Sequence, residues 1–216
     1  MTPRMRAITL TSPDLAASIW LPGQDVALAF TSRDGTTVRR RYSIRRFFPQ
    51  KQRLQINVVM HGDGPGMRWA QTVQPGMPIE AIGPRGKITL AAGAQWHLFA
   101  GDATAMPAAF AMMEALAADM PAQGFFLVDD AAERQAIAGK TIQWSYGADQ
   151  LVSMVMEAEL PAGQGHAYLA GEVALVSSLK AALTARGLSR EQISAKAYWN
   201  QGLANADRGE PEHKVT

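Results

Sequence analysis

The sequence predicts two halves of different class: an antiparallel β-barrel over residues 1–92, then an open parallel α/β sheet over 93–203, with a flexible tail at 204–216. Three observations carry this. From Arg4 to about Leu90, short β-prone runs are separated by tight turn signals. After Ala91-Ala92-Gly93, apolar strand-like runs alternate with helical ones, the texture of parallel strands joined by crossover helices. The chain has 216 residues, 47% of them hydrophobic, so each half has enough apolar surface to bury a core.

In the first half the expected strands are Arg6–Leu10, Asp25–Thr31, Val38–Phe47, Leu54–Met60, Met77–Ile82 and Lys87–Leu90. Pro22-Gly23, Asp34-Gly35, Pro75-Gly76 and Gly83-Pro84-Arg85-Gly86 punctuate them. Only Met67–Val73 reads as helical there. In the second half, strands are expected at Trp96–Ala100, Gly124–Val128, Thr141–Tyr146, Ala167–Ala170 and Ile193–Trp199. The main helices between them fall over Ala105–Asp119, Asp149–Glu157 and Glu172–Ala185, with a short one after Asp129-Asp130. Pro107 fits the first turn of its helix, and Gly187 closes the last one.

Composition excludes several classes of function. The chain has no cysteine, so it carries no disulfide, thiolate nucleophile or Cys-ligated cluster, and it fits a reducing cytoplasm. A net charge of +2 gives no general attraction for nucleic acid. The N-terminal stretch lacks an apolar signal core, and the apolar run Trp96–Met120 is broken by Asp102, Pro107, Glu114 and Asp119, so no membrane insertion is expected.

The informative stretch is Arg39–Ala70. Arg40, Tyr42 and Ser43 lie on one strand, and period-two alternation puts Arg40 and Tyr42 on a shared face, with Ser43 on the other or at the strand edge. A guanidinium grips phosphate bidentately, and a phenol stacks on a flat ring. About twenty residues on, His61-Gly62-Asp63-Gly64-Pro65-Gly66 can present backbone amides at a helix start, where diphosphate binds. That is the layout of a flavin dinucleotide site. Singly, each residue has a plain structural alternative. Arg40 also suits a solvated strand face, His61 a turn hydrogen bond, Trp69 a core position, and Gly171-Glu172 a turn and helix cap.

Taken in order, Arg40-Arg41-Tyr42-Ser43, His61-Gly62, Gly64-Pro65, Trp69-Ala70, Gly83-Pro84-Arg85-Gly86, Gly101-Asp102-Ala103-Thr104-Ala105, Ala170-Gly171-Glu172 and Tyr198-Trp199 closely resemble the siderophore-interacting proteins. These are FAD-containing ferric-siderophore reductases of the ferredoxin-reductase superfamily, and the resemblance runs from about Arg4 to Gly202. It implies that Arg40, Tyr42 and Ser43, assisted by Arg45, hold the FAD diphosphate and ring. It implies that His61, Gly62 and the backbone from Gly64 and Pro65 to Trp69 cradle the rest of the dinucleotide. Asp102, Thr104 and Ala105 would border the nicotinamide approach, with Glu172 and Trp199 near the ring and the substrate mouth. The implied reaction takes electrons from NADPH or NADH to a ferric siderophore through FAD, with no protein nucleophile and no protein-held metal. Arg46, Lys51, Lys180 and Lys196 are cations available to a basic rim, and none is assigned. Two alternatives stay open: a flavin reductase of the same superfamily with another acceptor, and a non-redox siderophore- or flavin-binding module.

The sequence departs from the family at two places. Gly66-Met67 stand where the family has small hydroxyl or alanine residues after Gly-Pro. The family's Trp-x-x-Arg is Trp144-Ser145-Tyr146-Gly147, without the arginine that would read an NADP 2′-phosphate. Asp129-Asp130 would favour a ribose hydroxyl there, while Arg134 favours the phosphate.

Overall fold

The computed structural model describes residues 2–32 and 34–201; the expected tail at 204–216 lies outside them. The first half is an antiparallel sheet of β1 (Met5–Thr11), β2 (Asp25–Thr31), β3 (Thr37–Phe48), β4 (Arg53–Val59) and β5 (Ala81–Arg85), in the order β1-β4-β3-β2-β5. This is the expected antiparallel half, and its end strands β1 and β5 are not paired with each other among the described residues. Val26, Leu28, Ile44, Ile56 and Val58 alternate inward from three of these strands to form its core. The helix α1 (Pro65–Thr72) covers that core through Ala70.

β3 is long because it serves two partners. Residues 37–43 pair with β2, and 44–48 pair with β4. The register steps from Ile44↔Ile56 to Arg46↔Gln55, which leaves Arg45 as the extra residue of a β-bulge. Two expected strands differ from what forms. The strand expected at Met77–Ile82 begins only at Ala81 and runs through Pro84 to Arg85. Pro75 and Pro78 have no N–H to give a ladder, and Pro84 is tolerated because β5 is an edge strand. Lys87–Leu90 forms no strand; Ile88 and Leu90 instead pack against the core of the second half.

That half is a parallel sheet of β6 (Trp96–Asp102), β7 (Ala122–Leu127), β8 (Thr141–Ser145), β9 (Gly165–Glu172) and β10 (Ile193–Trp199), in the order β10-β9-β6-β7-β8. All seven residues of central β6 are buried, as a strand covered on both faces requires. α3 (Ala148–Glu157) and α4 (Val173–Ala185) share one core with Leu98, Phe125 and Leu169. α2 (Met106–Ala115) belongs to the other core, with Phe99 and Phe126, and that core also takes in Met5 and Val59 of the first half. The two halves therefore share apolar packing, and α2 is the wedge between them. The helix expected to reach Asp119 ends at Ala115, where Leu116 turns extended.

β6 leads to β7 and β8 on one side, while β9 and β10 lie on the other. The switch point thus falls between the carboxyl ends of β6 and β9, at Asp102 and Gly171-Glu172. Open α/β sheets bind ligands there.

Candidate functional site

A cleft of about 630 Å³ opens where this switch point faces β3 and the start of α1. Arg40, Tyr42 and Ser43 all border it, and so does Arg41. Strict alternation would have sent Ser43 away. It sits instead at the last β2 pairing, Asp25↔Ser43, just before β3 changes partner and bulges. From there its hydroxyl lies 3.5 Å from the Tyr198 hydroxyl of the second half.

The turn after β4 supplies the opposite lip. His61, Gly62, Gly64, Pro65 and Arg68 line it. Gly62 has φ +69, a conformation glycine adopts freely. Gly64 is the N-cap of α1 and gives no side-chain cap, and residues 64–68 of this first turn all line the cleft, with only Pro65 lacking an N–H. Gly66 explains the first departure from the family pattern: a Cβ there would lie 2.0 Å from the Tyr42 hydroxyl. The missing side chain is what lets α1 seat directly against Tyr42.

From the second half come Thr104, Pro107, Lys196, Tyr198 and Trp199. β10 steps from Ala197↔Gly171 to Trp199↔Glu172, so Tyr198 is a bulged residue. The bulge lets two consecutive aromatics, Tyr198 and Trp199, face one cleft, which a regular strand forbids. Trp199 meets His61 across the seam, ring centroids 5.2 Å apart. Lys196 donates to Asp25 at 3.0 Å, a buried carboxylate at the cleft's edge, which joins β10 to β2.

Five expected site residues do not border the cleft. The bulge turns Arg45 toward α2, where its guanidinium donates two 2.5 Å hydrogen bonds to Glu114 and lies over the Phe110 ring. Arg45 is thus a tie between the halves, and its hydrogen bonds hold the Glu114 carboxyl below the usual range. Trp69 packs on Phe30, ring centroids 5.5 Å apart, and belongs to the first core. Ala105 is buried at the start of α2. Glu172 caps α4 by accepting from the Leu175 amide at 3.0 Å. Asp102 is buried beneath the cleft and accepts from Thr104, Glu172 and Trp199.

Sequence reasoning missed Arg41, Arg68 and Asp25 as neighbours of the site, and named Lys196 only as an unassigned cation. For Arg68 there was a usable signal: it stands one turn into a helix that begins at a glycine turn. The residues that are present fit a dinucleotide. Arg40 and Arg41 line one lip beside Tyr42, the glycine turn and the start of α1 line the other, and the Tyr198 and Trp199 rings close the side of the second half.

At the carboxyl ends of β7 and β8, Asp129 pairs with Arg4, and Asp130 accepts from the Ala132 amide. Arg134 donates to the Tyr146 hydroxyl and lies over its ring.

A five-stranded antiparallel sheet beside a five-stranded parallel sheet, with a cationic and aromatic cleft at the seam, defines the ferredoxin-reductase-like fold. Residues 94–202 match the family model for siderophore-interacting proteins, and residues 29–88 match that for the siderophore-interacting FAD-binding domain. The chain belongs to the siderophore-interacting protein family. It is 32% identical over 191 residues to the ferric vibriobactin reductase ViuB of Vibrio cholerae, covering 82% of this chain and 70% of that one. It is 26% identical to the NADPH-dependent ferric-chelate reductase of Escherichia coli, covering 69% of this chain and 62% of that one. Among solved structures, a siderophore utilization protein from T. fusca superposes with a TM-score of 0.85 at 31% identity, covering 95% of this chain and 90% of the other. None of the helices among the described residues is long and apolar enough to cross a membrane.

Proposed function

We propose that the protein is a flavin-dependent reductase that takes electrons from NAD(P)H and delivers them, through FAD, to a ferric siderophore, releasing ferrous iron. The observation that carries this reading is the meeting of Arg40, Tyr42 and Ser43 with the α1 amides and the Tyr198–Trp199 pair around one cleft. Arg40 and the first-turn amides of α1 would bind the diphosphate, Tyr42 and Ser43 the flavin end, and His61 and Gly62 the chain between. Bound FAD would supply the step from two-electron donor to one-electron acceptor. Thr104 and Trp199 would orient the nicotinamide on the side of the second half, at the switch point where such sheets take their ligands. Ferric iron enters as part of the substrate. Arg134, stacked on Tyr146, is the cation available to a 2′-phosphate in place of the absent Trp-x-x-Arg arginine. We place the reaction in the cytoplasm, which the cysteine-free composition suits.

The test is a spectrum followed by turnover. The purified protein, reconstituted with FAD if needed, should be yellow, and NAD(P)H should drive formation of ferrous iron from a ferric catecholate, read with a ferrous-specific chelator. A colourless protein that does not take up FAD would refute a redox role. Flavin reduction by NAD(P)H without ferric reduction would transfer the reading to another acceptor.

A further inference from the structure

Asp102 is the most heavily used buried carboxylate near the cleft, yet it does not border it. Its side chain is buried at the carboxyl end of β6. Oδ1 accepts from the Thr104 amide at 2.8 Å and the Thr104 hydroxyl at 2.5 Å. Oδ2 accepts from the Glu172 amide at 2.7 Å and from the Trp199 indole Nε1 at 2.9 Å. Four donors from three segments therefore converge on one carboxylate. Gly171 makes the convergence possible: a Cβ there would stand 2.5 Å from Oδ2, and its φ of +132 suits glycine alone.

The Trp199 indole needs such an anchor. It lies just past the Tyr198 bulge, at the last ladder position of β10, where the strand no longer dictates its direction. Asp102 fixes the edge of the ring that carries the N–H, which leaves the rest of the ring to meet His61 across the seam.

We infer that Asp102 is a positioning residue that acts through Trp199: it locks the indole as the wall joining the two halves of the cleft, and so sets where the nicotinamide settles. The inference rests on the reductase reading only for its consequence in turnover. The locking of the indole is a property of the protein without any ligand, and the two can fail separately.

The first measurement is ligand-free. In protein labelled with fluorotryptophan, the five tryptophans give separate fluorine resonances, and the one lost in Trp199→Phe is Trp199. Asp102→Asn, which turns an amide N–H₂ or a weaker acceptor toward two N–H donors, should shift or broaden that resonance while the other four stay in place. The second measurement is steady-state turnover of the FAD-loaded protein. Asp102→Asn and Trp199→Phe should each raise the KM for NAD(P)H about tenfold and lower kcat less than threefold. In a Trp199→Phe background, Asp102→Asn should add no more than about a twofold further rise. Trp199→Phe keeps an aromatic ring of smaller size, so it reports even if Asp102→Asn folds poorly. An unmoved Trp199 resonance in folded Asp102→Asn, an unchanged KM in Trp199→Phe, or fully additive effects in the double variant would overturn the inference. Absence of FAD uptake or NAD(P)H oxidation in the unsubstituted protein would instead refute the proposed function and leave the ligand-free result standing.

Discussion

The two halves of the molecule border the same cleft but contribute to it by opposite means. The second half is built from a strand buried along its whole length and a helix, α2, in which eight of ten residues are buried. The first half places its cleft-lining groups on a half-buried stretch of β3 and on the exposed turn before α1. The deeper burial therefore resides in the α/β half, and the polar groups proposed to grip a ligand reside mainly in the antiparallel half. The difference teaches that stability and affinity in this protein should be separable by mutation, residue by residue.

The largest expected effect is on the more deeply buried side. Phe99 is fully buried and stacks on Tyr168 with centroids 4.8 Å apart. Phe99→Ala should lower the unfolding free energy by about 3–5 kcal/mol, read by urea titration of the ligand-free protein. Below the transition, FAD affinity should stay near that of the parent. A large loss of affinity in folded protein would erase the division of labour between the halves.

Arg40→Ala tests the opposite side. Loss of one charge-assisted contact should weaken FAD binding by about 1.5–3 kcal/mol, measured by fluorescence quenching of FAD on titration. The melting temperature without ligand should barely move, because among the described residues Arg40 donates to the neighbouring Arg39 carbonyl alone. Undiminished FAD affinity would show that the diphosphate is gripped elsewhere in the cleft.

Glu114 sharpens the comparison because its pair with Arg45 joins both halves. Glu114→Ala would leave the buried Arg45 guanidinium facing α2 without its carboxylate, at a cost of about 1–3 kcal/mol. The carboxylate is 39% exposed, so solvent screening keeps the expected value toward the lower end. The sign with pH follows from the lowered Glu114 pKa: the pair is at full strength above the ordinary carboxylate value and is lost as pH falls through the lowered one. A Glu114→Ala protein whose acid unfolding matches the parent would show that Arg45 finds another partner.

Much of this organisation was legible in the sequence. Asp25–Thr31 and Ile193–Trp199 form over the residues their β-branched and aromatic content suggested, and the change of texture near Gly93 separates the two sheets. The bulges were not legible. A bulge is one extra residue fixed by how two strands seat on a third element, and nothing local in Ser43-Ile44-Arg45 or Ala197-Tyr198-Trp199 marks it. That single offset sent Arg45 to α2 and brought Ser43 and Tyr198 to one cleft. Lys196 was equally opaque, because its partner Asp25 stands 171 residues earlier and only the packed seam brings them together. Gly66 read as a departure from the family because the sequence cannot show the Tyr42 hydroxyl that fills its place.

The smallest expected effect lies at the foot of the α/β half. His97 and His166 face each other across β6 and β9 in register, with Tyr168 beside both rings. Burial pushes the pKa of each below the ordinary 6.5, and for His97 the neighbouring His166 and Lys140 add to the effect. The folded state therefore prefers both rings neutral, while the unfolded chain takes up protons as pH falls past that ordinary value. Stability should be complete above it and decline through the window just below it, before the carboxylates begin to titrate. His97→Gln keeps a polar group within reach of the Tyr168 hydroxyl and removes one of the two titrations. Its melting temperature should fall less steeply between pH 7.5 and 5.5 than that of the parent, by a few degrees over the window. FAD affinity should be unaffected by the substitution, since neither histidine borders the cleft. Parallel melting curves for parent and variant would mean that the His97 ring takes up its proton equally readily in the fold and in the unfolded chain. In that case burial at the foot of the α/β half would not penalise the charged ring.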